Sequence, residues 1–351
     1  MLIYVRENLI MRTLSASDAT AIYATIDANR QYLREWLPWV DASKSPADTV
    51  AVITDWAANF ERQTDIVLGI YADDTYVGNM GLHGIKSPTN SAEIGYWLAE
   101  NQQGRGIITA CVAALTDFAF NALELNRIQI RCAEGNAKSR AVPERLGYAQ
   151  EARFTDGERL YGVYHDLIVY CIVRRNWRHS GVSPLALVAP RAEHMERAAE
   201  YRREHGDEHI HGSGGLARYE NYEDWLEHVK LSKVTVPPEY VPGDTYLAMV
   251  GGRIVGMISV RHRLNVSLLR LGGHIGYGVR PSERRKGYAT KMLALGLEKC
   301  RQLCIDRALI TCDKDNIASA KTILTGGGVL ENEIVEDNGN ILQRYWVDLS
   351  Q

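Results

Sequence analysis

Hydrophobic and polar positions in the first half of the chain alternate between the spacing of strands and that of helices. Runs or alternations of apolar residues predict strands over 4–12, 66–71, 76–85, 92–98 and 128–133, with two more ending near Val173. Apolar residues at helical spacing predict helices over 18–29, 32–40, 48–62, 105–123 and 136–146. Residues 1–178 are therefore predicted to form one domain in which strands and helices are mixed.

The second half repeats this order after a polar, turn-rich stretch, residues 179–184, which we interpret as a linker. Residues 191–242 are predicted to be helical. Strands are then predicted over 246–250, 253–263, 273–280 and 308–312, helices over 285–303 and 316–325, and a last hairpin at Asp337-Asn338-Gly339. Residues 185–351 are thus predicted to be a second domain. The expected fold class is α/β (α+β), with a mixed central sheet flanked by helices in each domain.

Parts of the two halves correspond almost residue for residue. The strand Glu93-Ile94-Gly95-Tyr96 precedes the turn Gln103-Gly104-Arg105-Gly106, and about 180 residues later His274-Ile275-Gly276-Tyr277 precedes Arg284-Arg285-Lys286-Gly287. The pattern Cys132 and Asn136-x-x-Ser139 likewise recurs as Cys312 and Asn316-x-x-Ser319. Two copies at such a long period indicate a duplicated domain, because a solenoid needs at least about three short repeats.

The glycine turn of each copy has the chemistry of an anion site. It follows an apolar strand and opens a long amphipathic helix, so it places unpaired backbone N–H groups and the positive end of the helix dipole together. Gly106 and Gly287 allow a close approach of the backbone, and neighbouring arginine and lysine side chains can add charge-assisted hydrogen bonds. A diphosphate is the natural ligand. Neither turn fits a P-loop or the dinucleotide fingerprint.

The turns resemble the Gln/Arg-x-x-Gly-x-Gly/Ala signature of the general-control-related N-acetyltransferases, the GNAT superfamily. Arg284 to Ala289 satisfies it fully, and Gln103 to Ile108 departs from it only where Ile108 replaces Gly or Ala. The first domain further resembles the ribosomal-protein-serine/alanine N-acetyltransferases of the RimJ/RimL type. That resemblance rests on the segments Leu33–Trp39, Gly104–Thr109, Asn136–Ala141 and Arg145–Tyr148. The second domain resembles a less characterised GNAT group.

This resemblance implies that each domain binds acetyl-CoA through a strand end, the turn and the Asn cap. In the first copy the implied residues are Leu98, Gln103, Gly104, Arg105, Gly106, Ile107, Ile108 and Asn136. In the second copy they are Val279, Arg284, Arg285, Lys286, Gly287, Tyr288, Ala289 and Asn316. It also implies that a strand pair splays after Leu98 or Val279, which frees strand groups to pair with the pantetheine arm.

Two residues are candidate general bases, Glu93 and His274, since each shares a strand face with glycines that leave room for a ligand. The alternative for each is a polar strand side chain that faces solvent or pairs with the backbone. An α-amine, with a pKa near 8, demands little of a base, whereas a histidine suits base catalysis at neutral pH.

Ser139 and Ser319 are the candidates for protonating the CoA thiolate. In many GNAT enzymes a tyrosine protonates the thiolate, and it lies seven residues after the Asn that corresponds to Asn136 and Asn316. In this chain those positions hold Pro143 and Ile323. Departure of the thiolate without assistance is the alternative, since a thiol has a pKa near 8.5. Asn136 and Asn316 are also good helix N-caps, a role compatible with cofactor contact.

Other groups are less specific. Trp36, Trp39 and Trp56 either line an acceptor groove or pack in the core. His205, His209 and His211 are interpreted as part of a solvated acceptor loop, and no metal is expected, because no cysteine or clear helical face supports a zinc site. The six cysteines contain no Cys-x-x-Cys pair and are expected to be reduced thiols, mostly in the core.

Composition and charge exclude some classes of binding partner. A formal net charge of −3 and the absence of a basic run argue against nucleic-acid binding, and no apolar stretch approaches the roughly 20 residues of a membrane span. The N-terminus does not have the pattern of a signal peptide, so a cytoplasmic protein, monomeric or homodimeric, is expected.

The leading hypothesis is an acetyl-CoA-dependent N-acetyltransferase with tandem domains, whose first domain acts on a protein N-terminal amine. Two alternatives remain open: the acceptor is a small amine such as an aminoglycoside, a polyamine or another metabolite, or one domain binds CoA without turnover.

Overall fold

A computed structural model describes residues 1–85, 88–178, 184–234 and 240–350. The chain divides into two compact units, Leu2–Pro184 and Leu185–Gln351. Most of the expected linker, residues 179–183, lies outside the described residues. Among the helices of the described segments, none combines the length and the apolar character needed to cross a bilayer.

The N-terminal unit follows the predicted order of strands and helices. Its strands are β1 (Leu2–Arg6), β2 (Leu9–Thr13), β3 (Asp65–Ala72), β4 (Thr75–His83), β5 (Ser91–Leu98), β6 (Arg127–Ala133), β7 (Ala149–Leu160) and β8 (Val163–Val173). Its helices are α1 (Ala19–Ala28), α2 (Arg30–Leu33), α3 (Pro46–Arg62), α4 (Ile107–Asn121) and α5 (Ala137–Arg145).

Two predicted elements of this unit are divided in the structure. The single strand over 4–12 is instead the hairpin β1–β2, which turns at Asn8 with a positive φ of 57°. The single helix over 32–40 is instead the short α2 and a 3-10 helix at Pro38–Asp41. Pro38 begins that 3-10 helix because its ring fixes φ and its missing N–H is not needed at a helix start.

The sheet of the N-terminal unit has the order β1-β2-β3-β4-β5-β6-β8-β7. Its neighbours are antiparallel except β5 and β6, which are parallel and paired only from Ser91↔Arg127 to Glu93↔Gln129. β5 remains paired with β4 as far as Leu98. The splay therefore begins after Glu93, inside β5, and the expected position after Leu98 is wrong. This leaves the edge of β5 that faces β6 without strand partners from Ile94 onward.

The core of the N-terminal unit lies on both faces of its sheet. Apolar side chains of α1 and α3 pack with Tyr71, Tyr76 and Trp97 on one face. α4 is buried along nearly its whole circumference, including Cys111, Leu115 and Phe120. A helix that is apolar all round is stable only inside a protein, so α4 is a rigid support for the turn that precedes it.

The C-terminal unit has the same succession of elements from α6 onward. Its strands are β9 (Leu185–Val188), β10 (Gly243–Val250), β11 (Arg253–Arg261), β12 (Ile275–Val279), β13 (Arg307–Asp313), β14 (Val329–Val335) and β15 (Ile341–Asp348). Its helices are α6 (Met195–His205), α7 (Tyr222–Leu231), α8 (Tyr288–Gln302) and α9 (Ile317–Thr325). The strand β9 was not predicted from the sequence.

The strands of this unit form two groups, β12-β11-β10-β9 and β13-β15-β14. The opening between β12 and β13 begins beside His274, whose N–H donates to the Leu309 carbonyl at 2.6 Å. The expected opening after Val279 is therefore also too late in the strand. Trp225, which is fully buried, and Tyr201 centre the core on one face of β10 and β11.

Candidate active sites

The turn between β5 and α4 exposes backbone N–H groups. Gly104 and Gly106 both have positive φ, 74° and 70°, and a side chain at either would meet open space. The Ala110 N–H donates to the Gly106 carbonyl at 3.0 Å, so the preceding residues of the first turn have no carbonyl within the helix to bond. The N-terminus of the buried α4 thus faces a cradle suited to an anion.

The turn before α8 has the same backbone shape with different residues. Gly287 has a φ of 78°, and Arg285, at the place of Gly104, has a φ of 64°. Left-handed backbone is unfavourable for arginine, by about 1–2 kcal/mol. Arg284 forms an ion pair with Glu208, and Lys286 pairs with Glu283 at 2.8 Å. The equivalent cation of the first unit, Arg105, pairs with Asp73 at 3.1 Å.

Each turn is tied to the end of a preceding helix. In the N-terminal unit the Glu100 N–H donates to Asn29 Oδ1, just after α1, at 2.8 Å. In the C-terminal unit the Ser282 N–H donates to Glu204 Oε1 on α6 at 2.8 Å, and Glu204 also pairs with the buried Arg280. Burial alone raises the pKa of Glu204, but the bonds from Ser282 and Arg280 lower it to about 2.

A cavity of about 900 Å³ extends from the first turn along the splay to α2 and the segment after it. Among the residues predicted to bind cofactor in this unit, it is lined by Leu98, Gln103, Gly104, Gly106, Ile107, Ile108 and Asn136. Arg105 is not part of the lining. Tyr32 and Leu33 of α2 and Trp36 and Leu37 after it also line the cavity, and Gln103 Nε2 donates to the Tyr32 hydroxyl.

Ser139 lies in the splay, where several polar atoms meet. Its N–H donates to Asn136 Oδ1 at 3.1 Å, so Asn136 is the N-cap of α5. The Tyr96 hydroxyl donates to the Ser139 carbonyl at 2.9 Å, and the Ser139 hydroxyl donates to Tyr96 Oη at 3.2 Å. Burial raises the pKa of the neighbouring Cys132 thiol to about 11, with partial opposition from a hydrogen bond to Ser139. Tyr96 on β5 is thereby tied to the start of α5.

The C-terminal unit repeats this group of atoms. The Ser319 N–H donates to Asn316 Oδ1 at 3.0 Å, and the hydroxyls of Tyr277 and Ser319 lie 3.0 Å apart. Burial raises the pKa of Tyr277 to about 12, and that of Cys312 is also raised by burial. The recurrence of the same tyrosine, serine and asparagine contacts shows that both copies hold the strand and the following helix in one geometry.

Glu93 and Glu158 are two carboxylates of the N-terminal unit that lie near the splay. Glu93, at the last pair of the parallel ladder, forms an ion pair with Arg131 at 2.7 Å and accepts from Gln129 at 3.2 Å. It is absent from the cavity lining, whereas Glu158 of β7 is part of that lining. The alternative of a paired strand side chain, raised for Glu93 from the sequence, fits this arrangement.

His274 bridges the opening between β12 and β13. It is buried, and its ring Nδ1 accepts from the Leu309 backbone N–H at 2.9 Å. The backbone N–H of His274 donates to the Leu309 carbonyl. The ring proton is therefore on Nε2, which leaves no lone pair for an amine proton. Burial, and then the charge of Arg261, lower the pKa of His274 to about 4. This geometry fits the alternative in which His274 pairs with the backbone, and in this arrangement the ring cannot accept a proton from an amine.

The tryptophans and cysteines have mixed environments. Trp36 lines the cavity, Trp39 is exposed but contacts Trp97, and Trp56 packs against the core of α1 and α3. Cys304 is exposed, while the other cysteines are buried.

The three histidines considered as a metal site do not converge. His205 Nδ1 lies 2.9 Å from the Tyr201 carbonyl, whereas the rings of His209 and His211 contact each other at 4.5 Å. Within the described residues, no group of three potential metal ligands is present.

Sequence reasoning missed several residues that the structure places in the first cavity: Arg131, Lys138 and Glu158, with Tyr96 as the partner of Ser139. Lys138 Nζ donates to Gln103 Oε1 at 2.9 Å and so connects α5 to the turn. The recurrence of Tyr96 as Tyr277 was a signal in the repeat that could have identified it. Glu158 had no such signal, because β7 reaches the cavity only through the sheet order.

A glycine turn at the start of a buried helix, beside a splayed strand pair, is the fold of the acyl-CoA N-acyltransferases. Residues 8–149 match the acetyltransferase (GNAT) domain, and residues 198–323 match the acetyltransferase (GNAT) family. The chain belongs to the GNAT acetyltransferases. It is an N-acetyltransferase with two GNAT domains in tandem.

Several relatives match one half of the chain. The Bacillus subtilis (strain 168) protein named "Putative ribosomal N-acetyltransferase YdaF" is 39% identical over 175 residues, which are 49% of this chain and 95% of YdaF. The ribosomal-protein-serine acetyltransferase of Escherichia coli (strain K12) is 29% identical over 168 residues, 48% of this chain and 94% of that protein. A solved structure of RimL, the ribosomal L7/L12 alpha-N-protein acetyltransferase, in complex with coenzyme A is 26% identical, covers 49% of this chain and 98% of its own, and has a TM-score of 0.48. These matches correspond to the N-terminal half.

Proposed function

We propose that the N-terminal domain transfers the acetyl group of acetyl-CoA to the N-terminal α-amine of a protein. The observation that carries this proposal is the continuous cavity from the glycine turn, through the splay, to the segment after α1. The turn offers an anion site for the pyrophosphate, and the unpaired edge of β5 offers N–H and C=O groups for the pantetheine arm. The side chains of α2 and the segment after it line the remaining wall, where we place the acceptor. The relatives in Bacillus subtilis and Escherichia coli are named for ribosomal substrates, which supports a protein acceptor.

The charges of the cavity favour a single amine over a polycation. Among the described residues that line it, Glu158 is the one carboxylate, while Lys138 and Arg145 are cationic and Arg131 is paired with Glu93, which is not part of the lining. A polyamine or an aminoglycoside carries several positive charges, and such a ligand would be repelled by this lining. The same cations attract the phosphates of CoA. A protein N-terminus brings one amine with a pKa near 8, part of which is neutral at physiological pH.

In the proposed reaction the amine nitrogen attacks the thioester carbonyl, a C–N bond forms and the C–S bond breaks. We assign the amine proton to Glu158, which lines the cavity, ahead of Glu93, whose carboxylate is held by Arg131. Ser139 stands where the CoA sulfur can take up a proton, and Tyr96 orients its hydroxyl. A thiol pKa near 8.5 makes the demand on this acid small.

We infer that the C-terminal domain is a second acetyl-CoA site. The same turn, the same left-handed glycine at the start of α8 and the same contacts of Tyr277, Ser319 and Asn316 support this. Its acceptor differs, because the segments around the two openings share almost no sequence.

The test of the first site is Gly106→Glu, compared with Gly84→Glu as a matched control. Both glycines have positive φ near 70° and open space around them, but Gly84 does not line the cavity. The added backbone strain is then similar, about 1–2 kcal/mol. A carboxylate in the turn repels the pyrophosphate, so Gly106→Glu should raise the KM for acetyl-CoA at least about tenfold, since 1.4 kcal/mol is a factor of ten.

The acceptors in this test are a peptide with a free N-terminal serine, the same peptide with a blocked N-terminus and an internal lysine, spermidine and kanamycin. Acetylation of the free N-terminus alone, lost in Gly106→Glu and kept in Gly84→Glu, is the expected result. Preferential acetylation of spermidine or kanamycin would replace the protein acceptor with a small amine.

A further inference from the structure

The segment between α6 and α7, residues 206–221, occupies in the C-terminal unit the place that the cavity-lining segment after α1 occupies in the N-terminal unit. In each unit it follows the first long helix and precedes the next. In the N-terminal unit this segment contributes Tyr32, Leu33, Trp36 and Leu37 to the cavity. The residues at this place in the C-terminal unit include His209 and His211, neither of which has a role in the function proposed above.

This segment is seated directly on β12, glycine against glycine. A Cβ added to Gly212 would lie 2.4 Å from the Gly276 carbonyl oxygen, and one added to Gly278 would lie 2.7 Å from the His211 carbonyl oxygen. The Trp225 indole N–H donates to the Ser213 carbonyl at 2.9 Å, which fixes the segment from behind. The glycines of β12 thus make room for this backbone, and the space expected there for a ligand is filled by the chain itself.

His211 is held at the opening between β12 and β13. Its backbone lies over Gly278, its ring contacts that of His209, and its side chain is solvent-accessible. The charge of Asp313, the last residue of β13, acts on its protonation. The backbone of His211 and Gly212 lies beside Tyr277 on the face of β12 that Gly276 and Gly278 present, whereas the Tyr277 side chain alternates to the other face, where its hydroxyl meets that of Ser319. The opening can thus be reached by His211 from one face and by Ser319 from the other.

We propose that His211 is the general base of the C-terminal acetyl-transfer site; this rests on the proposal that the second domain binds acetyl-CoA. The acceptor amine loses a proton to a ring nitrogen of His211 as the C–N bond forms, and the C–S bond of the thioester breaks to release CoA thiolate. The thiolate takes up a proton from the Ser319 hydroxyl, which regains it from solvent.

The protonation of His211 is consistent with this role. Partial desolvation, and then the charge of His209, lower its pKa below 6.5, while Asp313 raises it. The ring is therefore mainly neutral at pH 7 and able to accept a proton, and activity should fall only as the pH drops below 6.5.

The experiment uses the full chain with Gly106→Glu, at an acetyl-CoA concentration well below the raised KM of the first site. It follows thiol release from acetyl-CoA with water, a peptide with a free N-terminus, spermidine or kanamycin as acceptor. His211→Gln should lower kcat at least about 100-fold, the lower end of the range of general-base effects, with the KM for acetyl-CoA unchanged. His228→Gln, an exposed histidine of α7, is the control and should keep full activity. His209→Gln should move the acidic limb to higher pH, because it removes a positive neighbour of His211.

Each outcome decides a different point. If calorimetry detects no CoA binding at the second site, the proposal that this domain binds acetyl-CoA is wrong. Bound CoA with thiol release that His211→Gln leaves unchanged would overturn the role of His211 and keep the site. Bound CoA without thiol release for any of the four acceptors would also overturn it, because the domain would then be a CoA-binding module.

Discussion

Single side chains at the two openings differ most in what surrounds them. Glu93 and His274 stand at equivalent places in the repeat, yet one is paired with Arg131 and the other with the Leu309 backbone. In both cases the partner comes from the strand across the opening, β6 or β13. These residues therefore mark the point where pairing of the two strands ends, and they hold that point in place.

For His274 this role predicts a pH-dependent stability. Its pKa is about 4 in the folded protein and near 6.5 in the unfolded chain. Below pH 6.5 the unfolded chain binds a proton that the folded protein does not, so the stabilisation is complete above pH 6.5 and is lost as the pH falls towards 4. The free energy of unfolding should decrease by roughly 2 kcal/mol between pH 7 and pH 5 on this account.

The variant His274→Asn tests this with urea unfolding at the two pH values. Its Oδ1 can still accept from the Leu309 N–H but does not titrate, so the decrease should be smaller by that amount. An equal decrease in both proteins would show that His274 is not the titrating group. The pH profile of activity should be the same in both.

The two carboxylates of the first site are separated by Glu93→Gln and Glu158→Gln. If Glu158 accepts the amine proton, Glu158→Gln should lower kcat about 100-fold at pH 7, and less above pH 8, where the α-amine is already neutral. Glu93→Gln removes an accessible ion pair, which is worth at most about 1 kcal/mol, and should change kcat only a few-fold. Steady-state rates over pH 6–9 measure both, and the reverse order would return the role of base to Glu93.

At the scale of elements, the position of each turn depends on the helix that precedes it in the fold. Glu204, at the end of α6, joins Arg280 and the Ser282 N–H, and so connects that helix to the turn before α8. Asn29 joins α1 to Glu100 in the same way. The glycine turn of each unit is therefore supported by a contact between elements that are distant in sequence.

Removal of this support in Glu204→Ala should destabilise the C-terminal unit by roughly 3 kcal/mol, because the buried Arg280 loses its main partner. Glu200→Ala is the matched control. Its exposed carboxylate lies 3.6 Å from Arg280, and its loss should change stability by less than about 1 kcal/mol. Chemical denaturation measures the difference, and CoA affinity of the second site should fall only in Glu204→Ala. Equal effects of the two variants would contradict the idea that Glu204 holds the turn before α8 in place.

At the scale of the whole molecule, the repeat predicts two separate cofactor sites. Titration calorimetry should give two CoA per chain in the wild type, one in Gly106→Glu, one in Gly287→Glu and none in the double variant. The same charge placed at equivalent turns makes the two variants controls for each other. One CoA in the wild type would leave one of the domains without a cofactor role.

The sequence by itself determined the architecture and the local geometry of the glycine turn and the Asn cap in each copy. The order of most strands and helices, the duplication, the glycine turns and the Asn caps all depend on residues close together along the chain, where periodicity and local hydrogen bonding decide the outcome. Tyr96 and Tyr277 were part of the same repeat, although their contacts with Ser139 and Ser319 were not foreseen. The strand β9 was missed because four apolar residues carry little pattern.

Only the tertiary structure decided which polar groups meet at the openings. Glu158 reaches the cavity because β8 pairs with β6 and carries β7 with it, a neighbour relation that spacing does not encode. His274 is withdrawn from solvent by Leu309, 35 residues away, and His211 is brought over Gly278 by close packing of glycines. Burial and proton affinity depend on these long-range neighbours, so the choice of base in each domain belongs to the fold.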